Sequence, residues 1–299
     1  PGGTSLASDA DFIPASTAVG AVTSGGLGKF NAIDLRKLLT GKVANARPFI
    51  SELQEGVSGT SSRKDLETMF QLIYLTFTAP RADKDAFAAQ AGQTKALLEN
   101  QEASPDFAFS KSLNETLYND HLRRRPTTAA TVDQWNLDKS MAFYKERFAD
   151  ASDFTFIFVG DLDLTAMRPL VERYVASLPS NRRMENWKDI GARISRGVIE
   201  KTVQKGIEPK SQVAIVFSGP LEWDQTQRVV IRAMSQVLED RLREAIREEL
   251  GGTYSIGASS GYQKIPRSEF TLAIQFGCDP QRVSDLVKRV FQEINKLKT

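Results

Sequence analysis

The chain has 299 residues, 41% hydrophobic and 25% charged, which suits two globular domains that each bury a core. Its 39 Lys and Arg against 37 Asp and Glu leave a net charge of +2, so there is no electrostatic case for nucleic acid. No apolar run approaches ~18 residues, so no sequence segment reads as a membrane span. One Cys and one His leave no intrachain disulfide and too few ligands for a catalytic zinc, which usually takes three protein ligands, mostly His.

In chain order, Gly25-Gly26-Leu27-Gly28 reads as a helix end or turn, since no clear apolar strand precedes it. Asn31 caps a helix through Leu39 that stops near Gly41. Residues 48–59 read as extended. Ser61 or Ser62 then caps a strong helix, with Asp65 in its first turn and a stripe of Leu66, Met69, Phe70, Ile73 and Phe77 at helical spacing. Pro80 ends it. A polar helix follows over 82–102, and another starts near Pro105. His121 reads as a surface or capping residue, and Arg123-Arg124-Arg125 as a solvated loop, because no aromatic residues interleave the charges. Residues 132–148 are helical again.

Phe154 to Gly160 is a short continuous apolar run, the pattern of a strand in a buried sheet. Asp163 and Thr165 can cap a helix over 164–178, where Pro169 marks a kink or a later start. Residues 179–195 are polar and weakly periodic, the composition of an interdomain linker. Residues 198–203 and 212–217 read as strands, and 223–250 as one long helix with Val230, Met234, Val237, Leu238, Leu242, Ala245, Ile246 and Leu250 in its stripe. Gly251-Gly252 stops that helix. Tyr254, Ile256 and Ala258, then Phe270, Leu272, Ile274 and Phe276, alternate with period two around a hairpin loop at 263–267. An amphipathic helix over 281–297 follows.

One internal echo stands out. Phe154-Thr155 leads to Gly160, Asp163, Met167 and Leu170-Val171-Glu172-Arg173. Phe270-Thr271 leads to Gly277, Asp279, Val283 and Leu286-Val287-Lys288-Arg289. Spacing from the aspartate onward is identical, as a duplicated domain predicts.

Several of these stretches carry a resemblance. Met141-Ala-Phe-Tyr-Lys-Glu-Arg-Phe-Ala-Asp150 with Asp153-Phe-Thr-Phe-Ile-Phe-Val-Gly160-Asp161 resembles the helix–strand signature of the pitrilysin/insulinase family of zinc metallopeptidases. Ile246-Arg-Glu-Glu-Leu-Gly-Gly-Thr-Tyr-Ser255 resembles that family's helix–strand junction in the following domain. Gly25 to Lys29 and Phe49 to Gly56 are similar to the bacterial two-half members.

The resemblance implies an α+β fold of two tandem duplicated domains, each a mixed, mostly antiparallel sheet with helices on one face, metallohydrolase-like with ferredoxin-like topology. The expected layout is a first domain over 1–178, a linker over 179–195 and a second domain over 196–299. The latter is expected to be incomplete at its C-terminus, in a chain trimmed at both ends. The family's zinc motif, His-x-x-Glu-His, is absent here. The chain therefore resembles the C-terminal, metal-free half, with no metal or other cofactor of its own and zinc expected in the N-terminal half. Its expected partners are that half, in the same protein or as a partner subunit, and a peptide substrate. The bacterial resemblance implies the periplasm or cell envelope.

In active members the second half lends an Arg and a Tyr, seven residues apart, to the zinc site. The matching positions are Arg247 and Tyr254. A phenol can hydrogen-bond the oxyanion that grows as water attacks a scissile carbonyl, and a guanidinium can hold carbonyls or the developing charge. The residues by themselves also allow a plainer reading: a solvated charge near a helix C-terminus and a half-buried strand tyrosine. Two functions stay open, the accessory half of a zinc endopeptidase or a non-catalytic peptide-binding or scaffolding subunit of the same superfamily.

Overall fold

The computed structural model describes residues 1–249, 253 and 255–298, without the side chains of 248 and 249. It divides into two compact units, Pro1–Phe107 with Leu113–Arg193, and Ala108–Ser112 with Ile194–Thr299. The chain is α+β: helices outnumber strands, and every ladder is antiparallel.

The first unit opens with α1 (Phe12–Ser16), α2 (Ala18–Gly25) and α3 (Ala32–Leu38). The side chain of Asn31 caps α3 by accepting the Asp34 N–H at 2.8 Å. Residues 44–61 are a hairpin, β1 (Ala44–Ile50) and β2 (Glu55–Ser61), in register from Ala44 opposite Ser61 to Ile50 opposite Glu55. Ser62 then accepts the Asp65 N–H and starts a turn into α4 (Leu66–Thr78). The Asp65 carboxylate also accepts the Val43 N–H at 2.9 Å, which ties the entry of α4 to the foot of β1. That amide and the Ser62 hydroxyl hold the Asp65 carboxyl below its ordinary range. The predicted stripe lies on the core: Met69, Phe70, Ile73 and Phe77 are buried, and Leu66 is partly buried. Each buried side chain contributes roughly 1.5–3 kcal/mol through burial.

There follow α5 (Lys84–Glu102), capped by Asp83, α6 (Pro105–Leu117), capped by Ser104 and with its residues 108–112 grouped in the second unit, α7 (Ala129–Val132) and α8 (Leu137–Arg147). The continuous helix predicted over 132–148 is broken at 133–136, where Asn136 restarts it by accepting the Lys139 N–H. Tyr144 and Phe148 stack at 4.6 Å in the core, and the Tyr144 hydroxyl donates to the Thr76 carbonyl at 3.2 Å. Burial pushes that phenol well above its usual pKa.

The segment predicted as a strand, 154–160, is not in a ladder. Nor is it buried on both faces as a continuous apolar run predicts: Phe154, Phe156 and Phe158 pack on the core, while Ile157 and Val159 are 79% and 91% exposed. Aromatic packing holds it, with Phe158 stacked on Phe70 at 5.2 Å and Phe154 edge-on to Phe77 at 5.0 Å. Asp163 caps α9 (Leu164–Leu170), and two residues past Pro169 begins a π-helical turn, Val171–Val175. The conflict carried by Pro169 is thus met by a change of helical pitch.

In the second unit, β3 (Ser211–Pro220), α10 (Gln225–Leu242), β4 (Ile256–Gln263), β5 (Glu269–Cys278) and α11 (Val283–Lys296) build one layer of helix on one three-stranded sheet, order β3-β5-β4. Leu272, Ile274 and Phe276 of β5 face Leu238, Leu242, Leu286 and Val290 in one core. Residues 198–203, read as a strand, have no regular structure and are exposed. The stripe drawn for 223–250 also divides: Leu238 and Leu242 are buried, whereas Val230, Met234 and Val237 lie on an exposed flank.

Candidate functional site

Past Leu242, α10 runs into a π-helical stretch, Arg243–Glu249. The change has a visible anchor on each side. Arg243 donates to Glu239 at 2.6 Å, one turn back, and the other Glu239 oxygen accepts the Ala258 N–H of β4 at 3.3 Å. Ala245 and Ile246 are buried against the sheet. Arg247, next in sequence, is exposed, and its side chain makes no ion pair with another described residue. A cation here sits where the helix dipole favours it.

On the far side of the junction, the Thr253 hydroxyl donates to the Ser255 carbonyl at 2.8 Å and accepts the Ser255 N–H at 3.2 Å. Ile256 then enters β4 and is buried. The expected helix stop at Gly251-Gly252, the Leu250 end of the stripe and Tyr254 lie outside the described residues. Of the pair, Arg247 is among the described residues and Tyr254 is not.

Other candidates resolve into structural roles. His121 caps the short turn Leu122–Arg124: its Nδ1 accepts the Arg123 N–H at 3.3 Å, so the neutral ring carries its proton on Nε2, which lies 3.1 Å from the Ile190 carbonyl. Arg123 is buried, donating to Asp9 and to the Thr4 and Ala7 carbonyls, so the basic run is not uniformly a solvated loop. Cys278 ends β5 half-buried. Burial raises its thiol pKa, the Asp279 carboxylate adds to that, and Arg282 opposes it. Among the described residues no three His, Cys, Asp or Glu side chains converge to hold a metal. His121, the one histidine of the chain, already spends both ring nitrogens on protein partners, so these residues do not fit a catalytic zinc that takes mostly histidine ligands.

The first unit holds a cavity of about 360 Å³ between β2 and the unpaired 154–158 segment, floored by Met69, Ile73 and Phe77 of α4. It also holds a charged node invisible in the sequence. Arg147, 1% exposed, donates to Glu185 through both terminal nitrogens, at 2.8 and 3.1 Å, and lies 4.0 Å from the buried Glu55 carboxylate. Nothing in a charged helix tail signals which arginine will be buried.

Both units are α+β, and no metal centre is found among the described residues. The peptidase M16 inactive domain family matches residues 134–299, and the chain belongs to that family. The probable zinc protease PqqL of Haemophilus influenzae is 24% identical over 284 residues, which cover 92% of this chain and 29% of that protein. Among solved structures, the periplasmic protease PqqL from Escherichia coli superposes with a TM-score of 0.85 at 20% identity, over 99% of this chain and 32% of that one. A peptidase M16 inactive domain from Pseudomonas fluorescens superposes at 0.71 with 18% identity, over 98% and 71%. The chain thus spans about a third or less of the length of the zinc proteases it matches.

Proposed function

We propose that this chain is the metal-free, C-terminal half of a two-half zinc metalloendopeptidase, acting on peptides or unfolded polypeptides in a closed chamber. Its zinc belongs to the N-terminal half. This half contributes substrate-binding surface, the Arg247 guanidinium and the Tyr254 phenol. The observation that carries the reading is the position of Arg247: an exposed cation on a helix end pinned by buried Ile246, seven residues ahead of Tyr254. Family membership and the likeness to PqqL proteases support it. The phenol donates a hydrogen bond to the oxygen that becomes negative during attack on the scissile carbonyl, and the guanidinium holds substrate carbonyls or that charge. A periplasmic home follows by analogy with the Escherichia coli protein.

The test uses the complete two-half polypeptide. Tyr254→Phe and Arg247→Ala should each lower kcat by roughly 10²–10³, the cost of losing one oxyanion donor, with zinc content unchanged. Unchanged turnover in both variants would leave only a binding or scaffolding role.

A further inference from the structure

Residues 179–193 have no regular secondary structure, yet they are bound along the first unit by side chains. Exposure alternates: Arg183, Glu185 and Trp187 are half-buried, while Arg182, Met184, Asn186 and Lys188 are exposed. The segment behaves as a strand laid down by alternate side chains, with no ladder. At its start the Ala151 N–H donates to the Pro179 carbonyl at 2.8 Å. The Arg183 N–H donates to Asp150 at 2.8 Å, and the Arg183 guanidinium donates to the Glu146 and Arg147 carbonyls at the C-terminal end of α8. Glu185 takes the two-pronged bond from Arg147. Farther on, the Lys188 N–H donates to the Ser5 hydroxyl at 3.0 Å, and His121 meets the Ile190 carbonyl.

We propose that residues 179–193 form a detachable strap, latched by Arg147–Glu185 and pinned by Arg183, which fixes the point at which the chain leaves the first unit at Arg193. Three features separate a latch from ordinary packing. The attachments are polar and concentrated at two arginines. Arg147 is shared: its guanidinium also donates to Glu146 and faces Glu55, so unit 1 keeps its buried charge neutralised when the strap lifts. Glu55 in turn accepts the Gly3 N–H, so the lid of the node belongs to the body of the unit and not to the strap.

The experiment is limited trypsin digestion of the full chain with peptide mapping, together with amide exchange at Arg183 and Lys188, on the parent and on Glu185→Gln. The variant keeps the shape of residue 185 and removes the charge, leaving Arg147 its other partners. Cleavage after Arg182, Arg183 and Lys188 should rise roughly tenfold or more, in line with the loss of a charge-assisted pair when cleavage samples the open state. Cleavage after Arg173 and the melting temperature should hardly move. Glu185→Asp should restore part of the protection. Unchanged cleavage within the strap would overturn the proposal, and so would a rise matched at Arg173, which would mean general loosening.

Discussion

Asp163 and Asp279 do the same job in the two units. Each accepts the N–H two residues on, that of Thr165 at 2.9 Å and that of Gln281 at 2.8 Å; Asp163 opens α9 directly and Asp279 opens the short turn Pro280–Arg282 that leads into α11. Asp→Ala at either position should cost about 1 kcal/mol of unfolding free energy, the usual value of an N-cap. Denaturant titration of the two single variants would show it. No loss at either site would remove the caps as the physical basis of the internal echo.

Gly25 closes α2 where the chain 79–83 passes over it. A Cβ there would meet the Arg81 carbonyl oxygen at 2.1 Å, and that strand of chain is itself fixed by the Gly28 N–H bond to Ala79 and the Arg81 bonds to the Gly25 and Gly26 carbonyls. Gly25→Ala should therefore destabilise by about 1–3 kcal/mol through overpacking. A helix-propensity gain in thermal melting would contradict it.

Asp150 sets the acid limb of stability. Burial raises its pKa, but the Ser152 hydroxyl and the N–H groups of Arg183, Ser152 and Asn181 outweigh that and hold the carboxyl well below the usual range. A lowered folded-state pKa means the contribution is full above about pH 4, the ordinary value for Asp, and is lost as pH falls through the lower folded value. The stability gap between the parent and Asp150→Asn should thus be constant from neutral pH to about 4 and should close below it. A gap that closes between pH 7 and 5 would contradict this sign and window.

Zinc content is a direct check on the metal-free reading. The purified chain, dialysed against buffer with trace zinc, should carry far less than one zinc per chain by elemental analysis, and His121→Ala should change nothing. One tightly held equivalent would overturn the assignment to the C-terminal half.

The faces of the elements were legible in the sequence; many of their neighbours were not. Met69, Phe70, Ile73 and Phe77 declared a buried helical stripe because burial follows period, whereas the continuous apolar run at 154–160 did not declare that only Phe154, Phe156 and Phe158 would turn inward. Whether 154–160 joins a ladder depends on which backbone lies beside it, and an apolar run carries no information about that. Residues 198–203 fail for the same reason. Residues 179–193 look like loose polar chain because their partners, Glu146, Arg147 and Asp150, lie some 30 to 40 residues upstream. The resemblance pointed to Arg247, and the structure gives it an exposed position on an anchored base; Tyr254 lies outside the described residues.

The outer side of β3 has a practical consequence for anyone handling this chain. β3 is ten residues long, carries no charge and, among the described residues, is hydrogen-bonded on one side only. Natural sheets blunt such borders with lysine, bulges or short length, and here only Pro220 at the end does so. Concentrated stocks should therefore self-associate border to border, visible as light scattering that grows with time and concentration, and a lysine at the exposed Gln212 should extend their shelf life.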